Sequence, residues 1–230
     1  MSEKKRVLLI GATGMVGQAV LKQAAARNDI CLTAIARREV PFPPGARMEM
    51  RVSPLEHWAD LIGAAQPETV VIALGTTIKA VGGDRAAFRA VDHDLVLMAA
   101  RAAKAAGARQ CIAVSSVGAA LSSKNLYLSV KGETEDQLAK LRFDRLDILR
   151  PGLLVGKREG PLRPVERFLT IIAPLVDPLL LGSLARYRSV RASRLAEVIV
   201  ALTGERMRGR FIHDHDDFRR ALSASRFARN

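Results

Sequence analysis

Aromatic residues are scarce: the 230-residue chain has seven Phe, two Tyr and one Trp. Its core must therefore be built from Ala, Val, Leu and Ile, which suits buried parallel strands and close-packed helices. Cysteine is rarer still. Cys31 and Cys111 both fall in apolar runs that read as strands, so two buried, reduced thiols are expected. No apolar run approaches the roughly 18 residues that a spanning helix needs. Lys4-Lys5-Arg6 leads straight into a strand with no signal-peptide pattern, and a cytoplasmic location is expected. Low-complexity stretches, internal repeats and flexible linkers are also missing, which leaves a single domain over 1–230.

Acidic charge is in short supply too. Lys and Arg number 36 against 23 Asp and Glu, a net charge of +13. Such a balance favours anionic partners: a phosphorylated cofactor, nucleic acid or an acidic membrane surface. The cations are scattered, however, with no basic block longer than Lys4-Lys5-Arg6. The excess reads as a solvated surface, and no specific nucleic-acid partner is expected.

What is present is a regular alternation of strand and helix patterns. Residues 7–10 form a short β-branched apolar run, 15–26 a helix, 31–36 a second strand and 48–52 a third. A helix over 54–65, a strand over 69–74 and one long helix over 84–106 follow. Strand 110–114, helix 127–141 and strand 145–149 complete the run, which Pro151-Gly152 halts. This order predicts an α/β fold: a doubly wound parallel sheet with right-handed crossovers and helices on both faces. Beyond Pro151 the pattern loosens, broken by Pro161, Pro164, Pro174 and Pro178. A helix over 193–202 and a short strand over 211–213 still stand out. Region 151–230 is too small for an independent domain and is expected to form the substrate side, capping the carboxyl edge where such sheets bind ligands.

Gly11-Ala12-Thr13-Gly14-Met15-Val16-Gly17 ends the first predicted strand and opens the first predicted helix. Glycines let this turn adopt φ > 0 and let backbone approach a pyrophosphate, while the helix start offers free N–H groups. The spacing, G-x-x-G-x-x-G, differs from the commoner G-x-G-x-x-G. About twenty residues on, where an acid would bond a ribose 2′-hydroxyl, stand Arg37 and Arg38. Guanidinium groups match phosphate oxygens, so the expected cofactor is NADPH rather than NADH.

Tyr127 and Lys131 stand four apart on a predicted helix and share one face. A phenol titrates near pH 10, and a neighbouring ammonium stabilises the phenolate. Ser115 and Ser116, at the end of the fifth strand, are placed to bond a reacting carbonyl oxygen. With the glycine turn, Leu74-Gly75-Thr76-Thr77, Ser115-Ser116-Val117-Gly118-Ala119, the segment from Leu126 to Glu133, and Leu149-Arg150-Pro151-Gly152, the chain resembles the short-chain dehydrogenase/reductase superfamily. It is most similar to the compact atypical branch that includes the Tat-interacting oxidoreductase-like protein, strongly over 5–160 and more weakly beyond.

The resemblance implies roles. Tyr127 would be the general acid in carbonyl reduction. Lys131 would hold the nicotinamide ribose and lower the tyrosine pKa. Ser115 or Ser116 would orient the substrate oxygen. Leu74, Gly75 and Thr76 would line the adenosine ribose and pyrophosphate, and Pro151 with Leu153 would meet the nicotinamide amide. Similar proteins often carry asparagine where this chain has Asp92, which sets an asparagine-based proton relay aside.

Two further segments stand out. His213-Asp214-His215-Asp216-Asp217 matches no metal-ligand spacing and reads as a solvated strand–helix junction, so no metal is expected. Segment 165–181 is the most apolar; Asp177 and two prolines rule out a span, leaving a lid, a packing surface, or a protein or peripheral membrane contact. The leading expectation is an NADPH-dependent reductase of a small carbonyl-type substrate, as a monomer or small homo-oligomer. Its rivals are a non-catalytic NADPH-binding regulator and an assembly factor.

Overall fold

Val7 and Leu9 point to one side of their strand, Leu8 and Ile10 to the other, and all four are at most 2% exposed. That alternation sets the architecture, because a strand buried on both faces needs helices on both. The computed structural model describes residues 4–46, 48–156 and 182–227. In chain order these form β1 (Lys5–Ile10), α1 (Met15–Ala25), β2 (Ile30–Ala36), β3 (Met48–Val52), α2 (Trp58–Ala65) and β4 (Thr69–Ile72). Then come α3 (Arg85–Arg89), α4 (Leu95–Ala105), β5 (Gln110–Val114), α5 (Leu126–Lys140), β6 (Arg145–Leu149) and β7 (Leu154–Val155). The last elements are β8 (Val190–Arg191), α6 (Ala192–Leu202), β9 (Gly209–His213) and α7 (His215–Phe227).

Seven strands pair in parallel in the order β3-β2-β1-β4-β5-β6-β9, the doubly wound arrangement expected for a Rossmann-type sheet. The order reverses between β1 and β4, so the carboxyl ends of these two strands flank the crevice where such sheets take ligands. On one face, Val7, Leu9 and Ile112 pack against Val20 and Leu21 of α1 and Leu195 and Ile199 of α6. On the other, Leu8, Ile10, Ile35 and Ile148 meet Trp58 and Ile62 of α2, Val96 and Ala100 of α4, and Leu138 of α5. Helix α6 is buried on nearly every side, as its Ala-, Val- and Leu-rich sequence requires. The tail thus supplies both a helix beside α1 and the strand that extends the sheet past β6. β7 and β8 pair separately in parallel. The proline-broken stretch with the apolar segment 165–181 lies outside the described residues.

Two expectations need correction. The long helix over 84–106 is interrupted: Asp84 caps α3, accepting from the Ala86 and Ala87 N–H groups, and a π turn at Ala90–Asp94 separates α3 from α4. The apolar residues stay in phase across the interruption, so periodicity does not reveal it. Cys111 is buried as expected, but Cys31 is exposed. The eight-residue α2 covers Ile35 near the carboxyl end of β2 and stops short of Cys31.

A buried polar network ties β9 to the sheet. Asp147, fully buried, accepts from Arg145 Nε and Nη2 (both 2.7 Å) and from Gln110 Nε2 (2.8 Å), with His213 Nε2 at 2.9 Å. Burial works against the Asp147 carboxylate, yet its hydrogen bonds with His213, Arg145 and Gln110 prevail and hold it below the ordinary carboxylate range. The junction that reads as solvated in sequence is therefore anchored through His213. Burial, and secondly the Asp147 carboxylate, push the Cys111 thiol up.

Candidate active site

The turn after β1 is shaped by what its glycines lack. Gly11 has φ +96°, and a side chain there would stand 2.6 Å from the Ala73 carbonyl of the neighbouring strand end. A Cβ on Gly17 would lie 2.1 Å from the Gly11 carbonyl, so α1 packs on its own turn only because position 17 is bare. Gly14 is the N-cap of α1 and donates to the Gly11 carbonyl at 3.1 Å. Among the described residues no side chain caps this helix, and no acid lies in its first turn. Its first N–H groups, around Met15, Val16 and Gly17, are thus left for an anion in the crevice. Ala12 is buried, and Thr13 is half-buried on the turn.

β2 lies beside β1 in parallel register, Ile35 opposite Ile10. Arg37 and Arg38 follow directly on the end of β2, so both stand at the same sheet edge as the glycine turn, one strand over. Both are exposed, and among the described residues neither forms an ion pair. This is an arrangement suited to a phosphate beyond the turn.

On the other side of β1, the loop after β4 carries Leu74, Gly75 and Thr76. The Thr76 N–H donates to Asp92 Oδ2 at 2.7 Å. The second oxygen of that carboxylate lies 2.8 Å from Lys131 Nζ, with Asp92 at 0% and Lys131 at 5% side-chain exposure. A Cβ on Gly75 would sit 3.6 Å from Asp92 Oδ1 and 3.9 Å from Lys131 Nζ, so the ion pair forms the floor beneath this loop. Asp92 belongs to the π turn, and Thr134 of α5 donates to its backbone carbonyl at 3.1 Å. In the sequence, Asp92 stands out only as a departure from asparagine. The missed signal was its phase: it stands four residues after buried Phe88 and four before buried Val96.

α5 starts at Leu126, capped by Asn125, whose Oδ1 accepts from the Leu128 N–H at 3.2 Å. Tyr127 and Lys131 do share one face of this helix. Tyr127 is half-buried, its ring packed on Phe88 of α3 with centroids 5.7 Å apart. The two serines part company at the end of β5. Ser115 is buried and donates to Glu135 Oε1 at 2.5 Å; Ser116 is half-buried, with its hydroxyl 3.3 Å from the Val117 carbonyl. Glu135 also receives a bidentate guanidinium, Arg150 Nε at 3.0 Å and Nη2 at 2.5 Å. Glu135 and Arg150 escaped the sequence reading as a pair, although Glu135 stands four residues beyond Lys131 on the same helix face.

After β6, Pro151 is buried and its carbonyl accepts from the Val117 N–H at 3.0 Å. Leu153 is exposed, its carbonyl holding the Val190 N–H at 2.8 Å. The residues singled out in sequence thus fall along one sheet edge, from Arg37 across the glycine turn and Gly75 to Ser116 and Pro151. Among the described residues, no cluster of three or more His, Cys, Asp or Glu side chains is disposed to hold a metal ion.

The family described as NAD(P)H-binding matches residues 11–171. The protein named FMP52, mitochondrial, of Eremothecium gossypii is 39% identical over 154 residues, covering 66% of this chain and 67% of that protein. The protein named HTATIP2 of Rattus norvegicus is 38% identical over 168 residues, covering 71% and 68%. Among solved structures, WbmH of Bordetella bronchiseptica in complex with NAD+ shares the fold. Its TM-score is 0.67 at 16% identity, covering 92% of this chain and 75% of that one. These matches agree with the expected kinship to the short-chain dehydrogenase/reductase superfamily and its Tat-interacting branch. The cytoplasmic expectation does not stand, because seven fungal relatives carry mitochondrial names. It rested on a missing signal-peptide pattern, which bears on secretion and not on other compartments. With most of its length matched and these relatives beside it, the chain belongs to the NAD(P)H-binding family of Rossmann-fold, oxidoreductase-like proteins.

Proposed function

We propose that this protein is an NADPH-dependent reductase of a small carbonyl-type substrate. The observation that carries the reading is the single face of α5 that joins Tyr127 to Lys131, with Lys131 buried directly beneath Gly75. The cradle fits the cofactor: bare glycines where a Cβ would strike backbone, an uncapped helix start for the pyrophosphate, and two exposed arginines for the 2′-phosphate. Leu74, Gly75 and Thr76 line the adenosine side, while Pro151 and Leu153 meet the nicotinamide amide. The hydride to the carbonyl carbon would come from NADPH when it is bound. Tyr127 donates its phenolic proton to the carbonyl oxygen, so that the C=O group becomes CH–OH. Lys131 holds the nicotinamide ribose, and a serine hydroxyl at the end of β5 orients the substrate oxygen. The tail beyond Pro151 forms the substrate side.

One observation favours a second reading, a non-catalytic NADPH-binding regulator. Asp92 lies 2.8 Å from Lys131 and takes up ammonium charge that a reacting phenol would otherwise share. One experiment decides between them. Purified protein with NADPH is screened against aldehydes, ketones and quinones, and the screen is repeated with Tyr127→Phe. Turnover that drops at least about a hundredfold in the variant supports the reductase, since general acid catalysis contributes about that much. NADPH binding without turnover, or turnover indifferent to the substitution, supports the regulator.

A further inference from the structure

The end of β5 offers two adjacent hydroxyls, and their surroundings differ. Ser115 is 8% exposed and its hydroxyl hydrogen is committed to Glu135. Glu135 itself is 3% exposed and carries the paired N–H groups of Arg150. A carboxylate so deeply buried persists only when charge and hydrogen bonds compensate it, and here a serine hydroxyl and a guanidinium do so together. Each of the three groups comes from a different element: Ser115 from the end of β5, Glu135 from the middle of α5, Arg150 from the end of β6. The backbone repeats the connection, with Ser115 N–H on the Leu149 carbonyl (2.8 Å), Val117 N–H on the Pro151 carbonyl (3.0 Å) and Arg150 N–H on the His213 carbonyl (2.9 Å).

Ser116 stands between two residues pinned in this way. Its carbonyl accepts from the Ala119 N–H at 3.2 Å, closing a turn that lies against α5. The Ala120 N–H bonds the Leu128 carbonyl at 3.2 Å, and Gly132 is bare where a Cβ would come within 2.4 Å of Ala120 backbone. The turn that begins at Ser116 is therefore seated on the helix residues next to Tyr127 and Lys131. Among the described residues its hydroxyl has a long contact to the neighbouring Val117 carbonyl at 3.3 Å.

We propose that Glu135 is a positioning residue: by locking Ser115 and Arg150 into one buried clamp it leaves the neighbouring Ser116, not Ser115, as the hydroxyl presented to the crevice. This rests on the reductase reading for its chemistry, though not for its geometry. No bond changes at Glu135. Its work is to keep the β5 end, the Tyr127–Lys131 helix and the β6 end in fixed relation, because displacement of a reacting group by about an ångström costs as much as a hundredfold in rate.

Two readouts test the proposal. The first is independent of turnover. In a Cys31→Ser background, Ser116→Cys and Ser115→Cys are each exposed to a maleimide in the folded protein, with and without saturating NADPH. Ser116→Cys is expected to label at least about a hundredfold faster than Ser115→Cys, and Glu135→Gln is expected to raise Ser115→Cys labelling at least about tenfold. Equal labelling, or faster labelling at 115, overturns the assignment.

The second readout is kinetic, on an active substrate from the carbonyl screen. Ser116→Ala is expected to lower kcat about a hundredfold, as loss of an oxyanion donor does, without change in NADPH affinity or Tm. Glu135→Gln is expected to lower kcat about tenfold with less change in KM, and Glu135→Asp to recover part of the loss. A Glu135→Gln protein that loses only Tm, with kcat intact well below the unfolding range, removes the positioning role. If the wild type turns over nothing, the reductase reading falls and the labelling contrast alone decides which serine faces the crevice.

Discussion

Lys131 holds its ammonium 2.8 Å from the Asp92 carboxylate, and neither side chain reaches solvent by more than a few per cent. A pair this buried resists loss of one partner more than loss of both. Asp92→Leu should therefore cost about 3 kcal/mol or more in urea unfolding. The double change Asp92→Leu with Lys131→Met should recover at least half of that loss. Strictly additive destabilisation would mean that the two groups do not act as a pair.

Arg37 and Arg38 form no ion pair among the described residues and sit one strand from the glycine turn. Replacing both with glutamine should weaken NADPH binding at least about tenfold, since a hydrogen bond to a charged group contributes about 1.5–3 kcal/mol. NADH affinity, measured by fluorescence titration, should move less than threefold, an order-of-magnitude bound on the same basis. Equal losses for both cofactors would separate the arginines from the 2′-phosphate.

Gly17→Ala places a Cβ 2.1 Å from the Gly11 carbonyl, a backbone atom that cannot turn aside as a flexible side chain would. The turn must open to admit it. Stability should fall by about 1–3 kcal/mol, the range for overpacking, and affinity for both nicotinamide cofactors should drop together. A variant that binds either cofactor at wild-type strength would show that the turn does not cradle the pyrophosphate.

The Asp147 network predicts a direction with pH. Its folded-state carboxyl titrates below the ordinary range, so the stability it supplies is fully present above about pH 4 and is lost as pH falls through the lower folded value. Urea midpoints measured from pH 6 downwards should fall below about pH 4, and Asp147→Asn should flatten that fall while lowering stability at neutral pH. A variant with an unchanged acid slope would place the acid sensitivity elsewhere.

The cysteines separate cleanly. Cys31 is exposed, whereas Cys111 is buried and its thiol is pushed up by burial and then by Asp147. One thiol per chain should react with a maleimide under native conditions, the second only after unfolding, and Cys31→Ser should abolish the fast phase.

Much of this was open to inspection in the chain alone. Runs such as Val7-Leu8-Leu9-Ile10, closed by Gly11, mark buried parallel strands because the apolar residues continue without alternation and then meet a conformational break. Tyr127 and Lys131 could be matched because both lie on one helix, where spacing translates directly into direction. What stayed hidden depends on partners distant in sequence. Nothing local to Glu135 announces that Ser115 and Arg150 will converge on it, 20 and 15 residues away. Nothing local to Cys31 reveals that α2 stops short of covering it. The π turn is invisible for a different reason: Phe88, Asp92 and Val96 keep helical spacing through it, so the pattern reads as uninterrupted.

That turn has a consequence for how the chain tolerates change in length. A π turn carries one residue more than the α-helix around it, so deleting Val91 would let helix α3 join α4 without a break. The helices on either side would keep their facing, because the extra residue is absorbed within the wide turn itself. Asp92, which sits in that turn, would lose the backbone geometry that brings it to Lys131. Between Phe88 and Val96, the chain is held to a residue count as firmly as to residue type: a shortened relative would lose the ion pair with every charged residue still in its sequence.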